Sequence, residues 1–321
     1  MQSYNLNYLG RIHESKNSNL KYLTPIDPVK SIVEKEFVYK CPLCGKEEYV
    51  VVGKIPINVI IDYWVNNYDF NPIADVYRNE VLEKRYCENC GLYFYNYHLP
   101  DFEQMYHELS TRISYYPSFR QEYGIATEII EYLKPNSLLE IGAGEGSFLE
   151  RVEHIVPITL GSEYNLQALD VCARKGLNMS SSDISKLEKE SFDVICHFEV
   201  LEHVYNNSQF MEQTLRLLKK GGKLIIGTPD PEGILSIIGR FQLNLPPHHQ
   251  FDFSKKTFDY LEKKYNLKIR EYQKAELDYH HYVRYVKVLT GKELSSVDMV
   301  GFYKTQEKYT GTSHVVVFEK L

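Results

Sequence analysis

From Ser137 onward the chain alternates short apolar runs with segments whose apolar residues recur every three or four positions. "SLLEIGAG" (137–144) is a brief apolar run ending in glycines, the pattern of a parallel strand buried on both faces. "GSFLERVEHIV" (146–156) places Phe148, Leu149, Val152, Ile155 and Val156 on one helical face, and Pro157 stops it. The alternation continues with a strand "ITLGSEYN" (158–165) and a helix "LQALDVCARKG" (166–176) closed by Gly176. A weak third strand "LNMSSSD" (177–183) and a fourth, "FDVICHFEVLEHV" (192–204), come next. A helix "SQFMEQTLRLLKKGG" (208–222) then leads into a fifth strand, "KLIIGTPD" (223–230). Upstream, "RQEYGIATEIIEYLK" (120–134) carries Tyr123, Ile125, Ile129, Ile130 and Leu133, an apolar helical stripe ended by Pro135 and Asn136. Strands alternating with helices predict an α/β sheet that binds its ligand at the carboxyl ends of the strands.

The 321 residues suggest two domains or one with a large appendage. Residues 1–36 show no period and read as an irregular arm, 37–115 as a metal-binding domain and 116–321 as the α/β domain. The metal is read from "CPLCG" (Cys41, Cys44) and "CENCG" (Cys87, Cys90). Cys-x-x-Cys sets two sulfurs on one tight turn, and the following glycines, Gly45 and Gly91, allow positive φ. Two such knuckles make a tetrahedral thiolate site suited to zinc. Four protein ligands leave no open position, so the zinc is structural. The competing reading is a redox pair or inert buried thiols. Between Cys44 and Cys87 lie 42 residues, more than in a minimal zinc ribbon, so an inserted segment brings the second knuckle back. Cys172 and Cys196 read as buried thiols.

The first strand–helix turn, "EIGAGEGSF", is Gly142-x-Gly144-x-Gly146 rather than the Gly-x-Gly-x-x-Gly of a dinucleotide site. Glu140 and Glu145 sit at this turn, and Glu163 and Asp183 follow the next two strands. A ring of carboxylates repels a diphosphate and suits a cofactor with an ammonium and a sulfonium, S-adenosylmethionine. Glu163, 23 residues after Glu140, is placed to accept the ribose hydroxyls. Asp183 is placed to accept the adenine amine, with Ile184 against the ring. The expected cofactor-binding set is Glu140, Gly142, Ala143, Gly144, Glu163, Tyr164, Asp183, Ile184, His197 and Phe198.

After the fifth strand comes "LNLPPHHQFDFS" (243–254). Two prolines stiffen the loop that carries His248 and His249, on the rim where the cofactor's methyl group should emerge. Methyl transfer to a hydroxyl needs its proton removed, and imidazole suits that task near neutral pH. His203, after the fourth strand, is a second candidate; Glu202 beside it reads as structural. The net charge of −6 argues against a nucleic-acid partner. So does the segment 45–86, with 5 basic against 7 acidic residues. No apolar run approaches the ~18 residues of a membrane span. The N-terminus has no basic stretch leading into an apolar one, so no signal peptide and a cytoplasmic location are expected.

"LLEIGAGEGSFL", "FDVICHFEVLEHV" and "LKKGGKLIIGTPD" resemble the motifs of class I S-adenosylmethionine-dependent methyltransferases. The paired knuckles, a "YY" before the "EY…A" helix, the glycine motif and "NLPPHH" together resemble bacterial members with an N-terminal zinc-binding region, often found among genes for surface polysaccharides. The resemblance covers about 38–321. It implies a Rossmann-like seven-stranded sheet whose last hairpin is antiparallel, with "LKIREYQKAEL" and "SHVVVFEKL" as its last two strands. A related group, the zinc-bearing sugar C-methyltransferases, has a histidine before a "…FS" turn, preceded by a tyrosine and a glutamate. Pro246 and His248 stand at those two places here, which favours an oxygen or nitrogen acceptor over carbon. His249 takes the place of that family-like histidine, five residues before Ser254. The leading expectation is methylation of a hydroxyl on a small molecule, a sugar or nucleotide-linked sugar, with His249 as base and His248 orienting it. The alternatives are an RNA methyltransferase and a sugar C-methyltransferase.

Overall fold

The computed structural model describes residues 35–99, 103–181, 183–238, 242–292, 294 and 297–321. The expected arm over 1–36 lies outside the described residues except for its last two. The first of these elements is β1 (Glu36–Phe37), which pairs with β5 (Tyr97–His98). Between them run β2 (Tyr49–Pro56), the helix α1 (Ile57–Tyr68), β3 (Val81–Cys87) and β4 (Leu92–Tyr95). Helices α2 (Glu103–Arg112) and α3 (Gln121–Leu133) lead into the main sheet.

That sheet begins with β6 (Ser137–Ile141), whose five residues are all buried, as the continuous apolar run requires. It continues through α4 (Ser147–Val152), β7 (Ile158–Glu163), α5 (Leu166–Lys175), β8 (Met179–Ser181), β9 (Phe192–Phe198), α6 (Asn207–Leu217) and β10 (Leu218–Pro229). After α7 (Leu235–Ile238) come β11 (Asp252–Phe253), α8 (Lys255–Lys264), β12 (Leu267–Lys274), α9 (Tyr279–Thr290), α10 (Met299–Gln306) and β13 (Ser313–Lys320). The seven strands run in the order β12-β13-β10-β9-β6-β7-β8. β6 through β10 are parallel; β13 is antiparallel to both β10 and β12. This is the expected seven-stranded Rossmann-like sheet with an antiparallel final hairpin.

Helices α3, α4 and α5 cover one face, where Ala126, Ile130, Phe148, Leu149, Val152 and Cys172 pack on Leu138 and Val194. Met211 of α6 and Phe258 and Leu261 of α8 cover the other. Two elements differ from the sequence pattern. The helix expected over 208–222 ends at Leu217, and Leu218 already pairs with Phe192 of β9, so sheet pairing takes Leu218–Gly222 from the helix. The fourth strand stops at Phe198, because Glu199 adopts a left-handed φ of 55° and turns the chain out of the sheet.

β2, β3, β4 and β11 form a second, antiparallel sheet in the order β11-β4-β3-β2. β11 follows the Pro-Pro-His-His loop, so one edge of the sheet beside the cysteines comes from far downstream in the chain. The second knuckle is fastened there too. Ser254 caps α8 and donates from Oγ to the Gly91 carbonyl at 2.8 Å. A Cβ on Gly91, whose φ is 79°, would lie 2.6 Å from that Oγ, so only glycine fits. No helix among the described residues is long and apolar enough to cross a membrane.

Candidate active site

The turn after β6 holds Gly142, Gly144 and Gly146 at φ 72°, 54° and 78°. A Cβ on Gly144 would come 2.6 Å from the Tyr116 ring, and one on Gly142 2.5 Å from Val200, so the turn keeps a cradle that side chains would fill. Glu163, at the end of β7, straps this turn in place. Its Oε2 accepts the Gly144 N–H at 2.8 Å, and its Oε1 accepts those of Tyr164 and Asn165 at 2.7 and 2.8 Å. These bonds leave one lone pair of Oε2 over. Tyr164 and Leu166 beside it are 72% and 68% exposed, apolar surface that a flat ring would cover. Asp183 caps the short turn Ile184–Lys186 by accepting the Ser185 N–H at 3.1 Å, while Ile184 is buried. The Ser185 and Lys186 side chains lower the Asp183 carboxyl, which keeps it ionised.

Glu140 is fully buried and its Oε2 has no hydrogen-bond partner. Burial first, and the charge of Glu163 second, hold it well above the usual carboxylate range. An orphaned buried carboxyl beside a glycine cradle fits a cofactor that brings an ammonium. Ala143 is buried in the same turn. The other two residues of the expected set sit differently. Phe198 packs in the core against Tyr123 and Phe148, and His197 is buried against Phe210 with neither ring nitrogen hydrogen-bonded.

The three expected catalytic histidines come together. His248 stacks on His249 at 4.7 Å between ring centres, and His203 stands edge-on to both at 4.4 and 4.6 Å. The Pro246–Pro247 peptide before them is cis. Gln250 anchors the loop by donating to the Leu99 and Pro247 carbonyls at 2.5 and 2.7 Å. Main-chain bonds from Gln250 and Phe251 to the Glu202 carbonyl tie it to the segment after β9. His248 uses both ring nitrogens: Nδ1–H donates to the Leu243 carbonyl and Nε2 accepts from the Tyr115 hydroxyl, each at 2.7 Å. His203 donates Nδ1–H to the His248 carbonyl at 2.7 Å, which leaves the lone pair on Nε2. His248 and His249 are buried; His203 is only partly so. Burial lowers His203 to about 4 and His248 well below its usual value, so both are neutral at pH 7.

Two acids border this cluster. Glu199 Oε2 lies 3.9 Å from the Arg120 guanidinium, and Glu202 Oε1 lies 4.0 Å from His249 Nε2. Burial raises Glu199 to about 8 and holds Glu202 well above the usual carboxylate range, against the opposing pull of Arg120. Sequence reading missed Arg120, Tyr115, Tyr116 and Glu199; the "YY" doublet ahead of Pro117 was the signal for the two tyrosines.

The four knuckle cysteines also converge. Their sulfurs lie within 4.8 Å of one another, with Cys41–Cys90 and Cys44–Cys87 at 3.5 Å. A tetrahedron of zinc–sulfur bonds ~2.3 Å long has edges of ~3.8 Å, so the donor set fits that ion.

A family model described as a methyltransferase domain matches residues 107–272. The chain belongs to that family. The match takes in the glycine turn, Glu163, Asp183 and all three histidines, and leaves the four cysteines outside it. Among relatives, a probable S-adenosylmethionine-dependent methyltransferase of Mycolicibacterium smegmatis is 25% identical over 116 residues, 35% of this chain and 45% of that protein. A mitochondrial ubiquinone biosynthesis O-methyltransferase of Dictyostelium discoideum is 26% identical over 109 residues, 33% of this chain and 32% of its own length. A ubiquinone biosynthesis O-methyltransferase of Coxiella burnetii is 27% identical over 135 residues, 38% of this chain and 58% of its own. The chain thus spans between a third and three fifths of these relatives. A solved SAM-dependent methyltransferase of Archaeoglobus fulgidus superposes with a TM-score of 0.43 at 16% identity, covering 62% of this chain and 94% of that one. Within the methyltransferase domain, the glycine turn follows the carboxyl end of β6, and His203 follows that of its neighbour β9.

Proposed function

We propose that this protein transfers a methyl group from S-adenosylmethionine to a hydroxyl of a small molecule, a sugar or nucleotide-linked sugar, in the cytoplasm. The observation that supports the reading is the cluster of three imidazoles, His203, His248 and His249, linked through the Tyr115–Tyr116 pair to the glycine turn. When bound, the cofactor supplies an electrophilic methyl group and a good leaving group. The chain's own task is to hold the acceptor, exclude water and take one proton. His249 is the base: His248 spends both nitrogens on Leu243 and Tyr115 and serves to fix the loop.

The cofactor residues are those of the glycine turn with Glu163, Tyr164, Asp183 and Ile184. Residues 37–115 hold a structural zinc on Cys41, Cys44, Cys87 and Cys90, and 116–321 form the catalytic part. The glycan context rests on the family-like "PPHH" and knuckle arrangement alone. The surplus of acid over base in 45–86 disfavours RNA, and Pro246 and His248 at the places of the tyrosine and glutamate disfavour carbon methylation.

The test is labelled S-adenosylmethionine with purified protein against panels of nucleotide sugars and RNA. Label on an alkali-stable O-methyl sugar is the expected result; label on RNA alone replaces the reading. Glu163→Ala is expected to weaken cofactor binding by on the order of 1.5–3 kcal/mol, since a charge-assisted bond and the strap on Gly144 are both lost. Calorimetry decides it: unchanged affinity, or tight NAD binding by the wild type, rejects the assignment.

A further inference from the structure

Residues 113–120 join α2 to α3 and form neither helix nor strand. Two adjacent tyrosines of this segment touch both parts of the site. Pro117 biases the backbone of Tyr116 toward an extended shape. The Tyr116 ring lies so close to Gly144 that a Cβ there would come within 2.6 Å of it, and its hydroxyl accepts from Asn165 Nδ2 at 3.1 Å. Gly144 and Asn165 are residues whose main-chain N–H groups Glu163 also holds. Asn165 in turn caps α5, accepting the Gln167 N–H at 2.9 Å. Tyr116 is thus tied at two points to the frame that shapes the cradle. Tyr115 meets the Tyr116 ring edge-on, with 4.9 Å between centres and planes at 82°. Its hydroxyl donates to His248 Nε2 at 2.7 Å, the nitrogen that keeps a lone pair because Nδ1–H goes to the Leu243 carbonyl. The His248 carbonyl takes the Nδ1–H of His203, and the His248 ring stacks on His249. A line of contacts therefore runs from Gly144 through Tyr116 and Tyr115 to His248 and the other two imidazoles.

We propose that Tyr116 and Tyr115 are positioning residues that make the seating of His248 depend on whether the glycine cradle is filled. The inference rests on the reading that this turn holds S-adenosylmethionine. A group seated against Gly144 also packs on the Tyr116 ring and limits its motion. Closely packed side chains pass such a restriction on rather than absorbing it. Tyr116 fixes the edge-on ring of Tyr115, and the Tyr115 hydroxyl fixes the His248 imidazole. With His248 goes the carbonyl that orients His203. The histidine loop thus takes its working arrangement with the cofactor in place, which sets an order: cofactor first, acceptor second. The coupling is reciprocal, so whatever holds His248 in this position also tightens the grip on the cofactor. The Tyr115 hydroxyl is the polar link in the line, and removing it leaves packing alone.

The experiment needs no acceptor. The full chain, labelled with ring-15N histidine, is titrated with S-adenosylhomocysteine; calorimetry gives the bound fraction and NMR the ring signals. The His248 Nε2 signal is the one that Tyr115→Phe moves before any ligand is added, since that nitrogen loses its hydrogen bond. In the wild type this signal is expected to shift as the ligand saturates. In Tyr116→Ala, at saturating ligand, the shift should be lost. Tyr116→Phe keeps the ring on Gly144 and drops only the Asn165 bond, so it should retain the shift. A wild-type signal that stays put while calorimetry shows the ligand bound overturns the proposal, and so does a full shift in Tyr116→Ala. Ligand that fails to bind the wild type overturns the cradle reading and the proposal with it. Should Tyr116→Ala not fold, Tyr115→Phe decides, because it keeps the aromatic packing. The Nδ1 signal of His203, held by the His248 carbonyl, should respond to ligand in the wild type and no longer in Tyr115→Phe. An equal response in both overturns the coupling.

Discussion

Replacing His249 with alanine is expected to lower turnover roughly 10²–10⁴-fold, the usual loss when a positioned base is removed. Cofactor affinity should barely change, because the proposed cradle is built from the turn after β6 and from Glu163, on segments other than the histidine loop. Turnover and affinity therefore separate, which a general loss of folding would not allow. His249→Asn keeps a polar side chain of similar reach but has no basic nitrogen near pH 7, so it should be almost as poor. Single-turnover assays with labelled cofactor read the first quantity and calorimetry the second. If His249→Asn keeps near-normal turnover and only the KM of the acceptor rises, His249 binds substrate. The base would then be His203, whose Nδ1–H is held by the His248 carbonyl and whose Nε2 keeps its lone pair.

Substituting Cys87 with serine should release the metal and destabilise the whole chain. The purified protein should carry about one zinc per molecule, held by four sulfurs of which Cys41, Cys87 and Cys90 are fully buried. In small zinc domains metal binding contributes ~10–16 kcal/mol to folding, so losing one of four ligands removes a large part of that. The melting temperature should fall by roughly 10 °C or more. Leu43, Leu92 and Phe94 of the knuckle region share one core with Leu139, Ile226 and Phe258 of the large sheet. The loss should accordingly appear as one transition at lower temperature rather than as melting of the knuckle region alone. Substoichiometric zinc in carefully handled wild type, together with an unchanged melting curve in Cys87→Ser, would dismiss a structural metal.

The large sheet was legible because its signal is local. "SLLEI" and "ITLGSE" are buried strands whichever protein holds them, and the glycine turn and Glu163 follow at short spacing. The cysteines were legible for the same reason, each pair being its own motif. What escaped depends on contacts between distant segments. Nothing local marks Asp252–Phe253 as the edge strand of a sheet built from residues 49–95, because a two-residue strand has no periodicity to read. α9 and α10 inside the last hairpin were not anticipated either: Asp278 and Asp298 cap them, but an isolated Asp is too common a signal to start a helix on. Likewise "EVLEHV" by itself does not show that His249, 47 residues later, comes within 4.0 Å of Glu202.

β11 has a consequence for how such a chain can be taken apart. Its two residues pair with Leu92 and Tyr93 only three positions after His249, and the next residue, Ser254, bonds the second knuckle. The cysteine-bearing sheet and the histidine loop are therefore not exchangeable modules. A fragment starting near residue 116 would keep every proposed cofactor residue yet leave Phe253 and Ser254 without their partners, and the histidine loop would lose its downstream anchor. Recombination that swaps one half for another relative's would have to carry Gly91, Ser254 and the β4–β11 pairing together. Diversity of acceptor in such a lineage should then arise by point changes along the rim rather than by shuffling of its two parts.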